Sequence, residues 1–259
     1  MFMKKHLPSI RNSITLSSLL LALFACASTN AENAPPADQV WLSKLLRIDD
    51  YLAEPQATID SNREVLSNQL NAGWDFSIDV SEPGSSTTSA VNDCTSFLSV
   101  DQLHAEPVKT YEFAVYRSIG ISCKAIQTAL ALHTSNRSFV RNLVFDKTLV
   151  ERMPFQLALI ISTEEEKRLQ TKASIHYWSD FESIESVEAE ETNTYLVKTQ
   201  GTTQTLKLLA YGDANADGIE DILLRNDASV DEGTYSSSRL FVLTKKSENS
   251  ELEILKVTE

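Results

Sequence analysis

Glycine and cysteine are in short supply in this chain, basic residues are outnumbered, and the familiar catalytic signatures are missing. Seven glycines among 259 residues leave little room for a loop that cradles phosphates. Neither a P-loop nor G-x-G-x-x-G is present, and H-E-x-x-H and G-x-S-x-G are missing too. His104, His133 and His176 each stand alone in sequence, so none announces a triad or a metal cluster. There are three cysteines and no C-x-x-C, which speaks against a redox motif. Lys and Arg number 23 against 36 Asp and Glu, a formal net charge of −13. That balance disfavours nucleic acid and anionic lipid, and no basic, aromatic-rich patch offsets it. Past the N-terminus no segment has the ~20 apolar residues that a membrane-spanning helix needs.

What is present begins with a leader. Lys4, Lys5 and Arg11 precede an apolar run from Ile14 to Phe24, the plan of a signal peptide over residues 1–25. The run ends in Leu23-Phe24-Ala25-Cys26, which resembles a bacterial lipobox. That resemblance implies a mature chain lipidated at Cys26, with the membrane touched only through the lipid. A cut after Ala27 is the alternative, giving a soluble periplasmic or secreted protein. The lipid-anchored route, which is the one expected, places the chain in the bacterial cell envelope, at the outer membrane or periplasmic face. Setting Cys26 aside leaves Cys94 and Cys123, an even pair in an oxidising compartment, so a structural disulfide is expected. Such a bridge adds roughly 3 kcal/mol for a loop of that size. Residues 26–38 carry Asn30, Asn33, Pro35 and Pro36 and read as a tether.

The fold class expected is α+β. A mainly helical region over 39–172 is followed by a mainly antiparallel β-sheet over 173–259. Trp41, Leu45, Ile48 and Leu52 share one helical face, with Asp38 as N-cap. A second helix starts near Asp60 or Ser61 and stops at Gly73. Phe76, Ile78 and Val80 alternate as a strand does. Val115, Ile119, Cys123, Ile126 and Leu130 form a helical stripe that turns Cys123 towards a core. Met153 to Ile161 is apolar and reads as either helix or strand. Ser162 with Glu165, and Thr163 with Glu166, are overlapping capping boxes for a helix start. Strands are expected at Ile175–Trp178, Tyr195–Lys198, Gln204–Tyr211, Asp221–Leu224, Arg239–Thr244 and Leu252–Val257, with Asn193, Gly201, Gly233 and Asn249 in the turns.

One stretch within the strand-rich part has a spacing that calls for a chemistry. Oxygen donors recur at Asp213, Asn215 and Asp217, followed by Gly218, Ile219 and then Asp221. Alternate side chains can aim oxygens at one point, the glycine permits the turn, and the residue after it offers a carbonyl: this is how a short loop wraps Ca²⁺. The twelfth position from Asp213 is Leu224, which cannot ligate, and the flanks read as strands. An EF-hand is thereby set aside. The loop instead resembles those of FG-GAP and VCBS repeats, where D-x-[DN]-x-D-G-x-x-D joins two β-strands. The resemblance covers Leu206 to Arg225. It implies side-chain ligation by Asp213, Asn215, Asp217 and Asp221, and carbonyl ligation by Ile219. No second copy of the repeat is found, which excludes a propeller. Two functions follow as expectations. One is a non-enzymatic envelope module with a structural calcium, binding a protein or glycan partner. The other is a calcium-dependent hydrolase of envelope material, with His176, Asp180 or Glu182 in a cleft beside the loop.

Overall fold

Apolar side chains alternate along the later strands so that both faces of a sheet carry them, and each face must then be covered. The computed structural model describes residues 39–54, 61–162, 164, 167, 169, 171 and 174–259. All of them lie in one compact unit. The signal peptide, Cys26, the tether, Asp38, Asp60 and the capping partners Thr163, Glu165 and Glu166 fall outside the described residues.

In chain order the elements are β1 (Trp41–Leu42), α1 (Arg63–Asn71), β2 (Ile78–Ser81), β3 (Ser89–Val91), α2 (Cys94–Asp101), β4 (Glu106–Pro107), α3 (Phe113–Ala131) and α4 (Lys147–Glu151). Then come β5 (Ile184–Glu191), β6 (Thr194–Thr199), β7 (Thr202–Gly212), β8 (Asp221–Val230), β9 (Ser236–Thr244) and β10 (Glu253–Thr258). Strands β5 to β10 form an antiparallel meander in which each pairs with its sequence neighbour. β6 covers β7 only as far as Lys207, and β1 takes up the stretch beyond, pairing Trp41 with Tyr211 and Leu42 with Ala210. β3, β2 and β4 make a separate three-stranded sheet.

The period-2 rule divides the core in two. Leu223, Leu240 and Val242 face a layer built from α1, α2 and α3, including Leu66, Phe97, Ile119 and Ile126. Ile222, Leu224, Phe241 and Leu243 face Val140, Met153, Leu157 and Trp178. Each fully buried Leu, Ile or Phe contributes about 1.5–3 kcal/mol. A bulge at Leu209 breaks the β7 ladder, since Leu208 pairs with Leu224 and Ala210 already with Leu223. The bulged carbonyl is then free to accept from Ser43 N–H at 2.8 Å, which ties down the segment after β1.

The Cys94–Cys123 disulfide is present and joins the start of α2 to the middle of α3, with Cα atoms 5.3 Å apart. Gly120 sits on α3 where a Cβ would come within 2.3 Å of the Phe97 ring, so only glycine lets the two helices meet this closely.

The expected helical first half is corrected. The described chain is mostly β, with its helices in the middle, and the stretch expected to open with a helix opens with a strand. Trp41 lies on β1 and Leu45 on a short 3-10 turn, Lys44–Leu46, while Ile48 and Leu52 flank a second, Asp49–Tyr51. Their spacing suits a helix, but pairing of β1 with the free length of β7 wins, and the Ser43 side chain caps the first turn by accepting from Leu45 N–H. Ile175–Trp178 is likewise not a strand. Tyr177 makes one bridge to Pro154, and Trp178–Phe181 is a short helix. Asp180 Oδ2 caps that helix by accepting from the N–H groups of His176 and Tyr177, at 3.0 and 2.9 Å.

Candidate metal centre

The loop Asp213–Glu220 joins β7 to β8, and Gly212 and Asp221 pair across its neck. It is braced from outside by the chain that leaves α3. His133 and Asp213 exchange both backbone hydrogen bonds at 2.8 Å. Asn136 and Arg137 N–H both donate to the Gly218 carbonyl, and Glu220 N–H donates to Arg137 O at 2.9 Å. The brace comes close because Gly212 carries no Cβ: one there would lie 2.9 Å from Leu132 Cβ and 3.1 Å from His133 O. Within the loop Ala216 and Gly218 take positive φ, 61° and 82°. Glycine adopts that conformation freely and alanine does not.

Asp213 organises the interior. Its Oδ1 accepts from the N–H groups of Asn215 and Asp217, each at 3.2 Å, and its Oδ2 from Gly218 N–H at 2.7 Å. Asn215 Oδ1 accepts from Asp217 N–H at 3.1 Å, and Asp217 Oδ1 from Ile219 N–H at 2.7 Å. Asp221 Oδ2 accepts from Ala214 N–H at 2.9 Å. Its Oδ1 is buried with no hydrogen-bond partner. Asp213, Glu220 and Asp221 are almost wholly buried, whereas Asn215 and Asp217 are exposed.

Charge in this loop is one-sided. Its one ion pair among the described residues is Glu220 with Arg141, a two-pronged contact at 2.6 and 2.5 Å. Arg141 also donates to Gln39 O at 2.9 Å and lies over the Tyr211 ring. Asp213, Asp217 and Asp221 have no cationic partner among the described residues. Burial pushes the Asp221 carboxyl up to about 6. Ala214 N–H and the nearby Thr244 hydroxyl pull it down, and the charges of Asp217 and Asp213 add to the rise. Among the described residues no three His, Cys, Asp or Glu side chains already converge on a point that would hold a metal. The donor set is nevertheless all hard oxygen, and one of those oxygens is buried and orphaned. That chemistry fits a calcium ion.

The other sequence candidates lie elsewhere. Asp180 is spent on its helix cap, and the N–H groups of Tyr177 and His176 hold its carboxyl below the ordinary range. Glu182 Oε1 accepts from Trp178 Nε1 at 2.8 Å. His176 is exposed. None of the loop's hydrogen bonds, and not its ion pair, reaches these three. Beside the loop runs a groove of about 460 Å³ whose lining includes Leu132, Ala214, Asn215, Val242, Leu255 and Lys256. It contains no His, Asp or Glu. Sequence reasoning singled out the five loop positions and did not reach the brace at His133–Arg137 or the Arg141–Glu220 pair. The chain matches no known protein family, no curated protein and no solved structure.

Proposed function

We propose that the β7–β8 loop binds a structural calcium ion, and that the chain is a non-enzymatic binding module of the bacterial cell envelope with a protein or glycan partner. The observation that carries the metal reading is the buried Asp221 carboxylate, whose Oδ1 takes no hydrogen bond from the loop, beside two further carboxylates that have no cation among the described residues. Asp213, Asn215, Asp217 and Asp221 would hold the ion through side chains and Ile219 through its carbonyl. The exposed Asn215 and Asp217 are the side chains with room to turn inward. Calcium would cancel the repulsion among the carboxylates and fasten the end of β7 to the start of β8. The leader, the lipobox-like Cys26 and a disulfide support the envelope. The groove beside the loop, lined by no His, Asp or Glu, supports binding over hydrolysis.

The test is a thermal melt of the chain from Ala27 onward, in calcium and in chelator, beside Asp217→Ala. An extracellular-type site binds at about 10⁻⁴–10⁻³ M. At about 10 mM calcium, linkage then gives at least ~1.4 kcal/mol. For a domain of this size that is a rise of roughly 3–6 °C. The wild type should show this rise and Asp217→Ala should lose most of it. A wild-type midpoint unmoved across millimolar calcium overturns the reading and leaves the loop a polar turn.

A further inference from the structure

Thr244 closes β9 directly across from Asp221 on β8 and Glu253 on β10. It is fully buried, and its hydroxyl completes no well-formed hydrogen bond, although it lies close enough to the Asp221 carboxylate to favour the charged form. Asp221 Oδ1, on the facing residue, likewise completes none. Native proteins leave few buried polar atoms unpaired, and two on facing residues call for a reason. Packing does not supply one. The preceding residues of β9, Phe241, Val242 and Leu243, are buried and apolar, and valine has the same shape as threonine without the hydroxyl.

We propose that Thr244 is a positioning residue of the metal site: its hydroxyl donates to Asp221 Oδ1 and sets the plane of that carboxylate for the cation. The inference rests on the calcium reading above. A carboxylate oxygen has two lone pairs. Asp221 Oδ2 gives one to Ala214 N–H, from the loop. Oδ1 gives one to Thr244, from the sheet. One lone pair on each oxygen is left for a bidentate grip on the ion. Held from both sides, the carboxylate cannot swing away when the exposed Asn215 and Asp217 exchange with solvent. Partners that orient a ligand in this way tune metal affinity without touching the metal.

The test is calorimetric calcium titration of the wild type, Thr244→Val and Thr244→Ser, with the metal-free melt of each. Removing the hydroxyl should weaken calcium binding about 10- to 100-fold. The metal-free midpoint of Thr244→Val should fall, because a buried carboxylate oxygen loses its donor, while the variant stays folded. Thr244→Ser keeps the donor and should bind within about twofold of wild type. Thr244→Ala is a second hydroxyl-free variant, with no γ-methyl to misfit. Wild-type affinity in a hydroxyl-free variant overturns the assignment, as does a Thr244→Ser variant that binds no better than Thr244→Val. A wild type that binds no calcium overturns the loop reading and this inference together, and the first titration alone reveals that outcome.

Discussion

Strand β8 carries an aspartate near each end, and the fold treats the two in opposite ways. Asp227 is partly buried, and burial alone would raise its pKa. The Arg225 guanidinium, the Ser238 hydroxyl and the Lys207 ammonium together hold it below the ordinary carboxylate range instead. Their distances are 2.7 Å from Arg225 Nε, 2.6 Å from Ser238 Oγ and 2.9 Å from Lys207 Nζ. Asp221 has no cation among the described residues, has carboxylates for neighbours and is pushed up to about 6 by its burial. One end of the strand carries its countercharge in the sequence. The other brings negative groups together and leaves the positive charge to come from outside. The β9–β10 turn, at the same end of the sheet as the acidic loop, shows the internal solution again. There Lys245 Nζ donates to the carbonyls of Ser247, Glu248 and Ser250, so an oxygen-lined turn closes on its own ammonium.

The largest way to break this contrast is to strip the acidic loop of its one internal pair. Glu220 is fully buried against Arg141. Glu220→Ala should cost about 3–5 kcal/mol in urea unfolding, because a buried guanidinium is left unpaired. A joint Glu220→Met and Arg141→Met change should recover most of that loss. A loss below ~1 kcal/mol for Glu220→Ala would show that Arg141 escapes to water and that the pair does not brace the loop. At the other end of β8, Arg225→Met removes one cation but leaves Lys207 with Asp227. The expected loss is smaller, about 1–2 kcal/mol, with the calcium response intact. Loss of that response would show that the two ends are not independent. Smaller again is Asp217→Lys, which gives the acidic loop an ammonium like that of Lys245. Its metal-free melt should rise by under ~1 kcal/mol, since the position is exposed, and calcium should no longer add to it. A variant that still responds to calcium would place the ion elsewhere.

The parts of this arrangement that sequence reveals are those with short-range spacing. Asp213, Asn215, Asp217 and Asp221 sit within nine residues, so their pattern is visible without a fold. The stripe on α3 is long and regular, and β6 to β10 are marked by apolar runs between turn residues. Cys94 and Cys123 are linked by arithmetic and joined in the structure. What stayed hidden depends on partners distant in sequence. β1 is a strand only because β6 stops short along β7. β5 is an edge strand with Glu185, Glu188, Glu190 and Glu191 facing outwards, and it lacks the alternation that marks a buried strand. Glu220 finds Arg141 across 79 positions. Thr244 faces Asp221 only through the β8–β9 register. No local window contains either pair.

Acid separates the self-neutralised end of β8 from everything else with the smallest expected effect. Asp227 has a folded pKa below its ordinary value of 3.8. A depressed carboxylate contributes stability that is fully present above the unfolded pKa and is lost as pH falls through the folded one. The wild type should therefore lose stability faster than Asp227→Asn as pH drops below about 4. The two should differ by a constant amount at neutral pH. Because Asp227 lies away from the acidic loop, the extra acid slope should be the same in calcium and in chelator. Urea midpoints taken from pH 7 down to about pH 2.5 read both slopes directly. Parallel curves for the two proteins would mean that Arg225 and Lys207 do no more for Asp227 than water does. The contrast along β8 would then reduce to the loop alone.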